Sequence, residues 1–300
     1  MTEIATRFAP SPTGRLHLGH AWSALQAHDF ATERHGHFLL RIEDIDPGRA
    51  RDEHVSGILE DLIWLGLAWE GEIVFQSQRL ALYAMALEDL KERGLVYPCF
   101  CTRAEIAREI AASASAPHGP DGPHYPGTCR GIPATVADAR AAHEAHCWRL
   151  DVAKARAAAG PLTWTDGNGM AQRARPEMHG DVVLARKDAP VSYHLAVTID
   201  DAEQAISHVV RGVDLWHATH VHRLLQALLD LPTPVYIHHA LIGTASGERL
   251  AKRNGAPAIA DLRAAGADPG ELIEAMRAGR FPNGYRLLDL PDDAPRQGTS

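Results

Sequence analysis

Two histidines three residues apart, His17 and His20, close the stretch RFAPSPTGRLHLGH that begins at Arg7. On a helix this spacing puts both imidazoles on one face, and Gly19 removes any side chain from between them. A flat ligand could lie against the backbone there while both rings reach a phosphate. Far downstream, GERLAKRNG makes a glycine-flanked basic loop with Arg249, Lys252 and Arg253. Between the two come Cys99, Cys101 and Cys129, which with one further ligand would form a closed tetrahedral zinc site. That ligand is open between Tyr125 and its neighbour His124, the imidazole being the more usual donor. Cys147 stands apart and reads as a buried thiol.

These residues need elements to hold them. Ile4 to Ala9 reads as a strand, His20 to Arg34 as a helix stopped by Gly36, and His37 to Ile42 as a second strand. Two strands around one helix make a βαβ unit, hence a parallel sheet and an α/β fold. Ligands of such sheets sit at the carboxyl ends of the strands, where the loops PSPTG and Glu43-Asp44-Ile45-Asp46 would share a cleft. Val55, Ile58, Leu59, Leu62 and Ile63 give one amphipathic helix. Leu80, Tyr83, Leu87 and Leu90 give another, with Ser77 as N-cap and Gly94 as stop. Trp64 and Trp69 are expected to pack in the core or at an interface.

The pattern changes from Tyr97 to Lys187, which reads as an insertion with a flexible Ala/Ser/Pro/Gly/His-rich loop at 111–128. Strand-like runs follow at Tyr193 to Ile199 and Ser207 to Arg211. Asp214 is expected to cap a helix bearing Val221, Leu224, Leu225 and Leu228, and Val235 to His239 is a further strand. The reading divides the chain into a first catalytic half (1–96), an insertion (97–187), a second half with the basic loop and closing helices (188–284) and a disordered tail (285–300).

The chain has 300 residues, 45% of them hydrophobic and 23% charged, as in a soluble globular protein. No apolar run approaches the roughly 18 residues of a membrane span, and Glu3 and Arg7 stand where a signal peptide would be apolar, so a cytoplasmic location without membrane contact is expected. The net charge of −8 argues against indiscriminate coating of nucleic acid. Four cysteines are too few and too uneven for a disulfide framework.

With 18 histidines in the chain, a lone H-x-G-H is unspecific. Four separated blocks in order are not. RFAPSPTGRLHLGH resembles the nucleotide-binding motif of class I aminoacyl-tRNA synthetases, and HFLLRIEDID, YHLAVTIDDAEQAISHVVRGVDL and ERLAKRN resemble the glutamyl branch, over roughly residues 4 to 280. The resemblance implies a Rossmann-type nucleotide-binding domain. It also implies aminoacyl-adenylate formation by in-line attack of an amino-acid carboxylate on the ATP α-phosphate, which needs positioned cations and hydrogen-bond donors. His17, His20 and Lys252 would be catalytic, and Gly19 and Arg249 would join them in binding ATP with Mg²⁺. The family's loop usually reads Lys-x-Ser-Lys-x. Here it reads Arg249-Leu250-Ala251-Lys252-Arg253, which keeps the charges but loses a hydroxyl and the geometry of one lysine.

For L-glutamate, the resemblance assigns Arg7 and Arg211 to the two carboxylates, in either order, and Glu43 to the ammonium. Ser11 and Tyr193 would offer hydroxyls, and the backbone through Phe8, Ala9 and Pro10 would line the pocket. It also favours Tyr125 as fourth ligand of a structural zinc ion. Full glutamyl- and glutaminyl-tRNA synthetases carry an anticodon-binding region after the basic loop, whereas only residues 254–300 follow it here, too few for such a domain once the catalytic body is finished. That architecture resembles the glutamyl-Q tRNA(Asp) synthetases, a truncated branch that transfers glutamate to queuosine in the anticodon arm of tRNA(Asp). A minimal glutamyl-tRNA synthetase acting on a tRNA 3′ end, and an impaired paralogue that binds glutamate or tRNA, are the alternatives. A monomer is the default.

Overall fold

The computed structural model describes residues 3–112, 118–119, 122–250, 257–291 and 294. Lys252, Ala251 and Arg253 of the basic loop lie outside them. The first half runs β1 (Ala5–Phe8), α1 (Leu18–Thr32), β2 (His37–Ile42), α2 (Asp52–Trp64), β3 (Val74–Phe75) and α3 (Leu80–Glu92). Then follow β4 (Val96–Cys99), α4 (Arg103–Ala112), β5 (His118–Gly119), β6 (Gly122–Pro123), α5 (Ala134–Ala141), β7 (Cys147–Leu150), α6 (Val152–Ala159), β8 (Thr163–Thr165), β9 (Ala171–Arg173) and β10 (Val183–Ala185). The chain closes with α7 (Tyr193–Glu203), β11 (His208–Gly212), α8 (Ala218–Leu228), β12 (Val235–His239), β13 (Ile242–Gly243), α9 (Ile259–Ala264), α10 (Pro269–Arg277) and β14 (Arg286–Leu287).

Parallel pairing joins β1 to β2, β2 to β3, and β11 to β12. The two groups meet where the Ser207 N–H donates to the Ala5 carbonyl at 3.1 Å and the Ser207 hydroxyl accepts from the Ala5 N–H at 2.8 Å. The strands thus succeed one another as β3, β2, β1, β11, β12, with no ladder between β1 and β11. Helix α1 lies across this seam. Its Leu18, Ala21, Ala24, Leu25, Ala27 and Ala31 are all buried, the small residues allowing close approach to the strands. Full burial of a leucine such as Leu18 or Leu25 stabilises by about 1.5–3 kcal/mol. Ile259, Ile273 and Met276 of the closing helices complete the same core, and Trp64 and Trp69 pack against it.

The inserted sheet is antiparallel, in the order β10, β7, β4. It has no separate main core: Leu150 and Leu184 pack with Tyr83 and Leu90 of α3, Leu195 of α7 and Leu224 of α8.

Several local expectations are corrected. Tyr193 to Ile199 is helical, because Leu195 to Asp201 are buried on every side and leave no helical period to read. His17 precedes α1 as its N-cap. Asp214 lies in a 3₁₀ turn at 213–215, and His217 stands at the start of α8. Ser77 does not cap α3; its N–H and hydroxyl both donate to Asp44, at 2.8 and 2.6 Å. The expected disordered tail includes β14, which pairs antiparallel with β13 and is extended by a 2.8 Å bond from the Leu288 N–H to the Leu241 carbonyl. Ala294 is buried.

Candidate active site

A cavity of about 320 Å³ opens at the carboxyl ends of β1, β2 and β11. Its walls include Arg7, Phe8, Ala9, Pro10 and Ser11 from the end of β1 and the loop after it. Glu43 enters from the end of β2, Tyr193 from the start of α7 and Arg211 from β11. His17, Gly19, His20 and Arg249 line it as well, so every site residue expected for ATP or glutamate gathers here except Lys252, which is outside the described residues.

The two histidines are fixed by helix capping. The Nδ1 of His17 accepts from the Gly19 N–H, and the His17 N–H donates to Nδ1 of His20, both at 3.1 Å, in a reciprocal capping box. The rings stack with centroids 3.7 Å apart. A Cβ at Gly19 would lie 3.0 Å from Cε1 of His17, so the bare residue is what allows this stack. Arg249 pairs with Asp214 at 2.7 Å.

The opposite wall is a charge network. Buried Arg7 donates to Asp201 through Nε at 2.9 Å and Nη2 at 3.4 Å. Arg41 donates to the same carboxylate at 2.7 Å and to Gln204 at 2.7 Å. Burial opposes ionisation of Asp201, but Arg7 and Arg41 overcome it and hold the carboxyl below its ordinary range. Glu43 is different: burial pushes it up to about 7, against the pull of Arg41 and Arg7. Arg211 donates to the Tyr193 hydroxyl at 3.4 Å, to Thr219 Oγ1 at 2.7 Å and to the Leu215 carbonyl at 3.0 Å. Among the described residues it pairs with no carboxylate.

Sequence reasoning missed Arg41 and Asp201. Both had a signal: Arg41 is two residues before Glu43, on the same side of a strand, and Asp201 lies eight residues after Tyr193, about two turns on along a helix, but beyond the expected strand, which ended at Ile199.

A second cluster lies in the inserted region. The sulfurs of Cys99, Cys101 and Cys129 all lie within 4.8 Å of one another, a group able to hold a metal ion. The Tyr125 hydroxyl is 3.5 Å from the Cys101 sulfur and accepts from the Cys129 N–H at 2.9 Å. Nε2 of His124 instead lies 2.6 Å from the Met178 carbonyl. Cys147 does not stand apart: it is buried directly across the β4–β7 ladder from Cys99. A hydrogen bond from Cys147 lowers the pKa of the Cys99 thiol, against the opposing effect of burial.

Parallel strands, a capped helix presenting imidazoles and an arginine-rich floor thus meet in one α/β cavity. Residues 3–284 match the family of class I tRNA synthetases (E and Q), catalytic domain, and the chain belongs to that family of ligases. The glutamyl-Q tRNA(Asp) synthetase of Rhodobacter capsulatus is 49% identical over 280 residues, covering 90% of this chain and 98% of that one. That of Deinococcus radiodurans is 43% identical over 270 residues, covering 90% and 86%. Among solved structures, the glutamate-tRNA synthetase of Elizabethkingia anophelis superposes with a TM-score of 0.70 at 28% identity, over 85% of this chain. This chain spans only 53% of that synthetase. No helix among the described residues is long and apolar enough to cross a membrane.

Proposed function

We propose that this enzyme activates L-glutamate with ATP to glutamyl-adenylate and transfers the glutamyl group to queuosine in the anticodon arm of tRNA(Asp). The observation that carries the first step is the division of one cavity into two chemistries. Arg7, Arg211, Tyr193 and Glu43 match a ligand with two carboxylates and one ammonium, while stacked His17 and His20, the Gly19 gap and Arg249 match a nucleotide triphosphate.

The glutamate α-carboxylate attacks the ATP α-phosphorus in line, and pyrophosphate leaves. The imidazoles at 17 and 20 and the cations at 249 and 252 stabilise charge that builds on the phosphoryl oxygens, with Mg²⁺ entering on the ATP. Arginine at 249 holds the charge of the family's first lysine and is tethered by Asp214. In transfer, a hydroxyl of the queuosine cyclopentene ring attacks the adenylate carbonyl, AMP leaves and an ester forms. The second step draws its support from the names of relatives that this chain covers almost end to end. Cys99, Cys101, Cys129 and Tyr125 would hold a structural Zn²⁺, a donor set of soft thiolates suited to it.

Transfer of labelled glutamate to bulk tRNA from cells with and without queuosine tests this reading. Labelling only of queuosine-containing tRNA, away from the 3′ end, is expected. Equal labelling of both pools at the 3′ terminus would overturn it.

A further inference from the structure

Arg211 is held differently from every other arginine of the site. Its side chain is buried (4% exposed) and its head lies in the cavity. Nε donates to Nε2 of His238 at 3.3 Å, and Nη1 to Nδ1 of His222 at 3.2 Å, beside its bond to Tyr193. Nη2 donates to Thr219 and to the Leu215 carbonyl, and the guanidinium lies 5.2 Å from the centre of the Tyr236 ring. Every one of these acceptors is neutral. Arg7, by contrast, already shares the Asp201 carboxylate with Arg41. A buried cation without a counter-ion is unfavourable by itself, and a ligand carboxylate relieves that condition where a carboxamide does not.

We infer that His222 and His238 are positioning residues that determine specificity: an uncharged imidazole cradle orients Arg211 while leaving its charge unspent, so that the cavity selects a carboxylate over the corresponding amide. Imidazole suits this task because one nitrogen accepts from the guanidinium while the other carries the proton, which at His222 is donated onward. Nδ1 of His222 faces Arg211, so its proton sits on Nε2, which lies 3.2 Å from Nδ1 of His194 on α7. The bond thus fixes both tautomers and ties α8 to the helix that begins with Tyr193. Thr219, three residues before His222, shares its face of α8 and supplies the second contact. Burial, reinforced by the charge of Arg211, holds both His222 and His238 well below the ordinary imidazole range, which keeps the cradle uncharged at neutral pH.

The inference rests on glutamate being the amino acid activated, and its test separates the two. His222→Asn and His222→Asp have the same shape, each placing an oxygen near the position of Nδ1, and differ only in charge. Glutamate-dependent ATP–pyrophosphate exchange by the full chain is measured for wild type and both variants, with glutamine as competing substrate. The glutamate KM of H222D is expected to exceed that of H222N on the order of 100-fold, as for a buried charge satisfied internally. H222D should also lose preference for glutamate over glutamine, while the two variants share one KM for ATP. Equal glutamate KM values and equal preference in the two variants would overturn the cradle, whereas absence of glutamate-dependent exchange in wild type would overturn the proposed function instead. Should either variant fail to fold, ¹⁵N spectra of the wild-type imidazoles decide: a neutral His222 protonated on Nε2 supports the inference, and an imidazolium or an Nδ1-protonated ring refutes it.

Discussion

Glu43 gives the sharpest quantitative expectation. Its carboxyl is pushed up to about 7 by burial, against Arg41 and Arg7, so in the free enzyme it is half protonated near neutral pH. Only the carboxylate can hold an ammonium as an ion pair. At pH 6 roughly a tenth of the molecules would have it ionised, and at pH 8 roughly nine-tenths, so affinity for glutamate should rise about tenfold over this interval, roughly 1.4 kcal/mol. The same shift acts on stability with the opposite sign. Because the folded pKa lies above the ordinary value of 4.5, the folded state binds more protons between 4.5 and 7, and ligand-free stability falls as pH rises through that window. The assay is glutamate KM at saturating ATP from pH 6 to 8, for wild type and Glu43→Gln. The variant should have a raised KM and a flatter profile. A wild-type profile parallel to that of E43Q would show that the carboxyl does not titrate there, and a glutamate KM unchanged in E43Q would overturn the assignment of the ammonium to Glu43.

Other expectations concern single features. Asp201→Asn strips the counter-charge from Arg7 and Arg41 and should destabilise by about 3–5 kcal/mol in denaturant titration; a loss under 1 kcal/mol would mean that the arginines find other partners. Gly19→Ala should raise the KM for ATP and leave that for glutamate unchanged, since the new Cβ would press on His17; equal effects on both would point to general damage. Metal analysis should find about one zinc ion per chain. Tyr125→Phe should then lose zinc to a chelator sooner than wild type, and unaltered retention would place Tyr125 outside the coordination shell. Leu40→Ala, at a fully buried position of β2, should cost about 2–5 kcal/mol, read from the denaturation midpoint.

Much of the site was legible because its residues lie where strands end, and strand ends are marked locally. The short apolar run between Gly36 and the acidic Glu43-Asp44 places β2 to the residue, and Glu43 with it. Arg7 and Arg211 fall in β1 and β11 for similar reasons. Helix α7 was not legible, since a helix buried all round has no polar face to set its period, and a strand ending at Ile199 leaves Asp201 outside the element that begins with Tyr193. The role of His17 as a cap depends on hydrogen bonds that spacing alone does not specify. Cys147 joined the thiols only through a cross-strand register between residues 48 positions apart. The histidines around Arg211 gave no signal, because their neutrality comes from burial among three separate elements.

The pairing of β13 with β14 bears on how the protein should be handled. The family match stops at residue 284, and a shortened version ending there would look complete. It would uncover the edge of Ile242–Gly243, the stem from which the basic loop departs: the Leu250 N–H donates to the Ile242 carbonyl at 3.0 Å, and the Thr244 N–H to the Glu248 carbonyl at 2.8 Å. A Cβ on Gly243 would lie 2.4 Å from Leu288, so the closing strand is fitted to that stem at the level of single methyl groups. An uncovered apolar edge invites pairing with a second molecule. Trimming at the family boundary would therefore promote self-association of the enzyme, and would loosen the strand pair that leads up to Leu250.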